Sequence, residues 1–191
     1  ISGFEHLSPT YKFDRTNLAG YTGSYSFRAN INASTPAGAV FSFQTPSFDL
    51  SQLQTGFSPK FTFWASYAQP SADVTETLKI YISTDCGGNW EQIYQRNGSS
   101  LAYLNAPFTN GFKPTTSTQW RRHGLGSLSS LGYGDAKSAI FRIDVLSGGG
   151  NPVYLDNINF WRERWDLVTV RLNIDRNTQR FFLLFLGQFY S

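Results

Sequence analysis

Thirteen acidic residues, two histidines and one cysteine are all that this 191-residue chain offers for acid–base or metal chemistry. His6 and His123 lack HExxH spacing or a companion ligand motif, so no zinc-protease site is legible. No G-x-S-x-G occurs, and no glycine-rich phosphate loop links a strand to a helix. Asp73, Glu76, Asp85 and Asp144 could pair for glycoside hydrolysis, which needs two carboxylates about 5–10 Å apart. Solvated loop and turn positions account for them more simply. Glu5 and Asp156 ask for more, because each is set in an otherwise apolar segment, where a carboxylate without a partner is costly. The remaining chemistry is aromatic. Trp64 and Tyr81 point away from the core faces of their strands, and Trp120 adjoins Arg121 and Arg122. Rings stack on pyranose faces while polar groups fix the hydroxyls, so these residues are candidate ligand contacts. Cross-strand aromatic pairing, or cover by long loops, would explain the same rings structurally.

Strands must position these groups, since no convincing 3.6-residue period exists. Between Glu76 and Gln95, Leu78, Ile80 and Ile82 alternate with Lys79, Tyr81 and Ser83, then Asp85, Gly87, Gly88 and Asn89 form a turn before Trp90, Ile93 and Tyr94. That is a hairpin. Its tip, Ser83-x-Asp85-x-Gly87-x-Asn89-Trp90, resembles the Asp-box turn of extracellular β-proteins, read here as a structural turn that pins two strands. Residues 60–68 read as the clearest strand, with Phe61, Phe63, Ala65 and Tyr67 on one face and Thr62, Trp64 and Ser66 on the other. Further strands are expected over 23–31, 39–48, 118–125 and 139–145, and over 153–160 with a bulge at Asp156–Asn157 where the apolar phase slips. Residues 8–22 and 96–117 read as loops. The result is an all-β chain: a two-sheet antiparallel β-sandwich of the jelly-roll type, with eight or nine strands.

Composition agrees. Aromatic residues make up 17% and charged residues only 15%, and seventeen Phe, ten Tyr and seventeen Gly favour strands and turns. Of the +3 net charge, residues after Phe160 carry +2, so the body is nearly neutral and has no basic stripe for nucleic acid. The longest apolar run, 181–186, is too short to span a membrane. A single cysteine, Cys86, excludes an internal disulfide and reads as a passive turn residue. With no methionine, the chain is expected to be a processed piece of a longer protein. Its expected organisation is a sandwich over 1–160 and a C-terminal extension over 161–191. Phe181 to Phe185 of that extension would be adhesive if exposed, so burial against the body or a partner is expected.

GFE at 3–5, GSYSF at 23–27, TPSFDLS, FTFWASYA, LKIYISTDCGGNW, the isolated QW at 119–120 and YLDNI at 154–158 occur in that order. Together they resemble jelly-roll domains, related to MAM domains and carbohydrate-binding modules, of large secreted proteins from Bacteroidetes-type bacteria. The resemblance implies a non-catalytic extracellular adhesion or recognition module, secreted or at the cell surface, with a glycan or a cell-surface protein as partner. Neighbouring domains of a longer chain would flank it. An accessory or spacer domain of a secreted metalloprotease or other hydrolase is the alternative. The resemblance also implies one structural Ca²⁺, held by Glu5 from the first strand, Asp156 from the last, and backbone carbonyls near Gly23 and Ser24. Trp64, Tyr81, Trp120 and Arg121 are the expected ligand contacts.

Overall fold

The computed structural model describes residues 10–52, 60–103 and 111–159, together with the backbone of 53, 160–161, 169–174 and 181–186. Its strands are β1 (Phe13–Thr16), β2 (Ser26–Ala29), β3 (Val40–Gln44), β4 (Lys60–Ser66), β5 (Thr77–Ser83), β6 (Glu91–Asn97), β7 (Arg121–Ser127), β8 (Ile140–Leu146), β9 (Val153–Trp161), β10 (Thr169–Ile174) and β11 (Phe181–Leu186). One helical turn, α1 (Gly98–Leu101), follows β6. The first nine strands make two antiparallel sheets, ordered β1-β2-β9-β4-β7 and β3-β8-β5-β6. Within them only β1–β2 and β5–β6 pair as sequence neighbours. Every other connection in the body crosses from one sheet to the other, which makes this a jelly roll. β10 and β11 form a hairpin that joins the larger sheet along β9, on the edge that β2 leaves free.

Alternation explains the packing. Phe61, Phe63 and Ala65 of β4, Leu78, Ile80 and Ile82 of β5, and Phe141, Ile143 and Val145 of β8 are all buried between the sheets. Phe61 stacks on Phe141 across the interior at 5.5 Å, and Phe27 stacks on Phe43 at 5.2 Å. Each such fully buried side chain contributes about 1.5–3 kcal/mol. In β9 the pairing with β4 slips by one residue, so that Asn157 and Ile158 together oppose Phe63. Asn157 has φ +45°, the left-handed backbone that asparagine tolerates. The expected bulge is there, and it returns Ile158 to the core after Asp156 has pointed outward.

Two expectations change. Residues 8–22 are not all loop, because Phe13–Thr16 pairs with β2 from Phe13↔Ala29 to Thr16↔Ser26. Four residues carry too little period to announce a strand; the partner decides it. The strand expected over 118–125 starts only at Arg121, since Ser117–Gln119 closes as a 3₁₀ turn capped reciprocally by Thr116 and Gln119. The segment Ile1 to Leu7, with Glu5 and His6, lies outside the described residues.

Candidate functional site

The two sheets turn very different outer faces to the surroundings. On the larger sheet, Trp64 of β4 lies between Asp156 of β9 and Arg122 of β7, and Tyr154 lies beside Ser66. Tyr21, from the β1–β2 loop, stacks on Trp64 with centroids 3.9 Å apart and planes 15° from parallel. Trp120 packs edge-on to Tyr154 at 6.4 Å and is only 5% exposed. With Ala19, Ala68 and Phe112 these rings form a second apolar cluster, roofed by the loops around residues 19–21 and 112–120. Arg121 is exposed but directs its Nη1 donor to the carbonyls of Ser99 and Ala102, 3.4 and 3.3 Å away. The rings expected as a sugar platform on this side have their surfaces in contact with protein.

Asp156 belongs to the same roof. Its Oδ2 accepts N–H bonds from Tyr21 (2.7 Å) and Thr22 (3.1 Å), and its Oδ1 accepts the Asn157 N–H at 2.6 Å. The fold therefore brings the turn containing Gly23 and Ser24 to the aspartate of the last body strand. Ser24 is exposed in that turn. The third expected metal ligand, Glu5, lies outside the described residues.

Tyr81 goes to the opposite face. The register of the smaller sheet aligns Gln44, Arg142, Tyr81 and Gln92 in one row, and Ser42, Asp144, Lys79 and Gln95 in the next. Arg142 is the centre of this surface. Its guanidinium carbon is 4.3 Å from the Tyr81 ring centroid and 4.8 Å from that of Trp90, so two rings fix the side chain. Its Nε lies 3.3 Å from Asp144 Oδ2. Asp144 is 7% exposed and also accepts a 2.5 Å hydrogen bond from the Ser42 hydroxyl. Burial pushes its carboxyl above the usual range, while Ser42, Arg142 and Lys79 pull it down.

Trp90 joins this row to the hairpin tip. There Asp85 accepts the Ser83 hydroxyl (2.7 Å), the Asn89 N–H (2.9 Å) and the Asn89 side-chain amide (2.6 Å). These bonds, the Asn89 N–H first, hold its carboxyl down at about 2. Cys86 and Gly87 turn the chain with successive positive φ values of +59° and +90°. A cleft of about 360 Å³ opens beside the tip, between Asp85, Trp90, Glu91 and Tyr133. A larger cleft of about 610 Å³ near α1 is lined by residues such as Gln69, Thr75 and Asn97, without a charged or aromatic side chain. The remaining carboxylate candidate with buried surroundings, Glu76, accepts the Gly150 N–H at 2.8 Å and ties down the glycine turn. Among the described residues no group of three His, Cys, Asp or Glu stands close enough to hold a metal.

Arg142, Trp90, Lys79 and Asp144 were not among the expected contacts. Alternation in 139–145 already put Arg142 and Asp144 on the outer side. The missing fact was that β8 lies next to β5, which aligns Arg142 with Tyr81.

No protein-family model matches the chain, and no curated protein matches it. Solved structures do match. The K3 cleaved adhesin domain of Lys-gingipain from Porphyromonas gingivalis w83 aligns at TM-score 0.53 and 12% identity, over 82% of this chain and 89% of that one. The two-sheet jelly roll is the architecture the two share. Two further matches are CBM27-1 of Caldicellulosiruptor saccharolyticus, solved with mannohexaose, and a C-terminal family 22 carbohydrate-binding module of Clostridium thermocellum. The first has TM-score 0.47 and 14% identity, covering 81% of this chain and 87% of that one. The second has TM-score 0.45 and 14% identity, covering 82% and 83%. At such identities the likeness concerns architecture alone.

Proposed function

We propose that this chain is a non-catalytic, extracellular recognition module that binds glycan chains across the outer face of the β3-β8-β5-β6 sheet. One observation carries the reading: Arg142, held by Tyr81 and Trp90, lies in an outer row with Gln44 and Gln92, and among the described residues no aromatic roof like that of the other side covers it. Amide groups that both donate and accept suit sugar hydroxyls, and a fixed guanidinium supplies directional donors at little entropic cost. The adhesin-domain fold supports the class of function. Secretion or display at a cell surface follows from that class, as does attachment to neighbouring domains. A glycan array with the intact chain tests the proposal. Retention of at least one polysaccharide, lost on Arg142→Ala in a variant that still melts cooperatively, is the expected result. Uniform negatives would favour a spacer domain that packs on a secreted hydrolase.

The structural calcium remains part of this proposal. Asp156 lies within hydrogen-bonding distance of the Tyr21–Thr22 backbone, which fits a clasp between β9 and the β1–β2 loop. The carbonyls near Gly23 and Ser24, with Glu5, would supply the remaining oxygens of a Ca²⁺ shell. Chelation with EDTA is expected to lower the melting temperature by several degrees. An unchanged melt would leave the clasp to the amide hydrogen bonds of Asp156 alone.

A further inference from the structure

The geometry points to a carboxylate-bearing sugar, a uronic acid within a polysaccharide, as the ligand of the Arg142 face. This rests on the reading of that face as a glycan site, and it names the class of glycan.

The first argument is the unused valence of Arg142. Its guanidinium has five N–H donors; Nε stands 3.3 Å from the Asp144 carboxylate as an ion pair, yet without the alignment of a hydrogen bond. Among the described residues neither terminal nitrogen makes a hydrogen bond, although the side chain is only 22% exposed and two rings fix its position. Arg28 and Arg121 show the contrast. Arg28 forks onto Asp14 through two nitrogens, and Arg121 spends a donor on two carbonyls. Arg15, on the other sheet, shares the ring-held state of Arg142 through Tyr25, but among the described residues has no amide-rich row around it. A guanidinium that is positioned and keeps its terminal nitrogens unbonded presents the planar edge that receives a carboxylate through two parallel hydrogen bonds.

The second argument is charge. In the two central rows of this face the charged residues are Lys79, Arg142 and Asp144. Asp144 is buried, and its oxygens are engaged by Ser42 and Arg142, so it offers no acceptor to a ligand. Lys79 stands directly across from Asp144 and diagonal to Arg142, about 7–8 Å away by sheet geometry. No ion pair of 4 Å or less engages its ammonium among the described residues. Outside these rows, Asp85 is engaged at the hairpin tip by Ser83 and Asn89, and Glu91 faces Tyr133, whose hydroxyl is pushed up to about 12 by burial and by this carboxylate. The two rows therefore carry two cations against one carboxylate, and that carboxylate is buried beside Ser42 and Arg142. Gln44, Gln92 and Gln95 surround the two cations and suit the hydroxyls of the same sugar ring. Two cations against one carboxylate leave these rows with an excess of one positive charge, which a neutral polysaccharide would not offset.

Binding of the full chain to polygalacturonate and to its fully methyl-esterified form separates the possibilities, because the two polymers share a backbone and differ in the carboxylate. Titration calorimetry should show binding to the acid form at low salt. Affinity should fall about tenfold or more between roughly 0.05 M and 0.5 M salt, and the ester should not bind. Arg142→Gln should cost about tenfold or more and Lys79→Gln about two- to fivefold, by the usual worth of held and exposed charges, in variants that still melt cooperatively. Equal binding of acid and ester, or binding only of neutral mannan or xylan, would overturn the uronate inference and leave the glycan reading standing. Failure to bind any polysaccharide would overturn both.

Discussion

The outer faces of the two sheets are built from the same residue types and end in opposite states. On the β1-β2-β9-β4-β7 side, Trp64 is stacked under Tyr21 and Trp120 is sealed beneath loops, so aromatic area becomes a second core. On the β3-β8-β5-β6 side, Tyr81 and Trp90 sit beside Arg142 and are left at the surface. The difference comes from what lies nearby in space. Long loops with their own rings fold over the first face, whereas the second has charged and amide neighbours in its rows. Tryptophan on an outer strand face is thus no marker of binding by itself. A ring that fixes a charged group without burying it is the more telling arrangement.

That contrast can be broken experimentally, most severely on the roofed side. Trp120→Ala should cost about 3–5 kcal/mol in denaturant unfolding, as large aromatic truncations in cores do. A cost below about 1 kcal/mol would mean that the roof is loosely laid. The next effect lies at the seam where β6 meets β7. The His123 ring stacks on Phe63 at 5.3 Å, and its Nδ1 lies 2.8 Å from the Tyr94 hydroxyl. Burial, then the charges of Arg121 and Arg96, lower its pKa to about 4. The unfolded chain, with a histidine near 6.5, therefore binds this proton more readily than the folded one. Stability from this group is complete above about pH 6.5 and is lost as pH falls towards 4, on the order of 3 kcal/mol in total. Unfolding free energies across that range, compared with His123→Gln, should show a flatter pH slope in the variant; parallel slopes would refute the assignment. The smallest effect belongs to the open face. Tyr81→Ala should change stability by about 1 kcal/mol or less, the worth of a surface cation–π contact, while weakening glycan retention. If Tyr81→Ala unfolds the protein as Trp120→Ala should, the two faces do not differ in the way described.

Much of the architecture was written in short stretches of sequence. The alternation in FTFWASYA and LKIYIS set both strands and their buried faces, because a strand's period of two separates inner from outer residues without reference to any partner. The Asp85 turn was legible for the same reason, since its hydrogen bonds run within seven residues. So was the bulge at Asp156–Asn157, from a break in apolar phase. β1 was not legible: FDRT gains its strand character from pairing with β2.

Alternation places a residue outside, but it is silent about which strand lies alongside. Tyr81 and Arg142 are sixty-one positions apart and become neighbours only because β8 inserts beside β5. Such pairings are chosen by the closure of the whole sandwich, in which non-local contacts must repay the entropy of closing long loops. The sequence by itself determined strands, inner faces and turns, since these follow from local sterics and the side-chain period. Only the tertiary structure decided which outer rings would be roofed and which would hold an arginine at the surface, because that depends on loops and strands that meet across the fold.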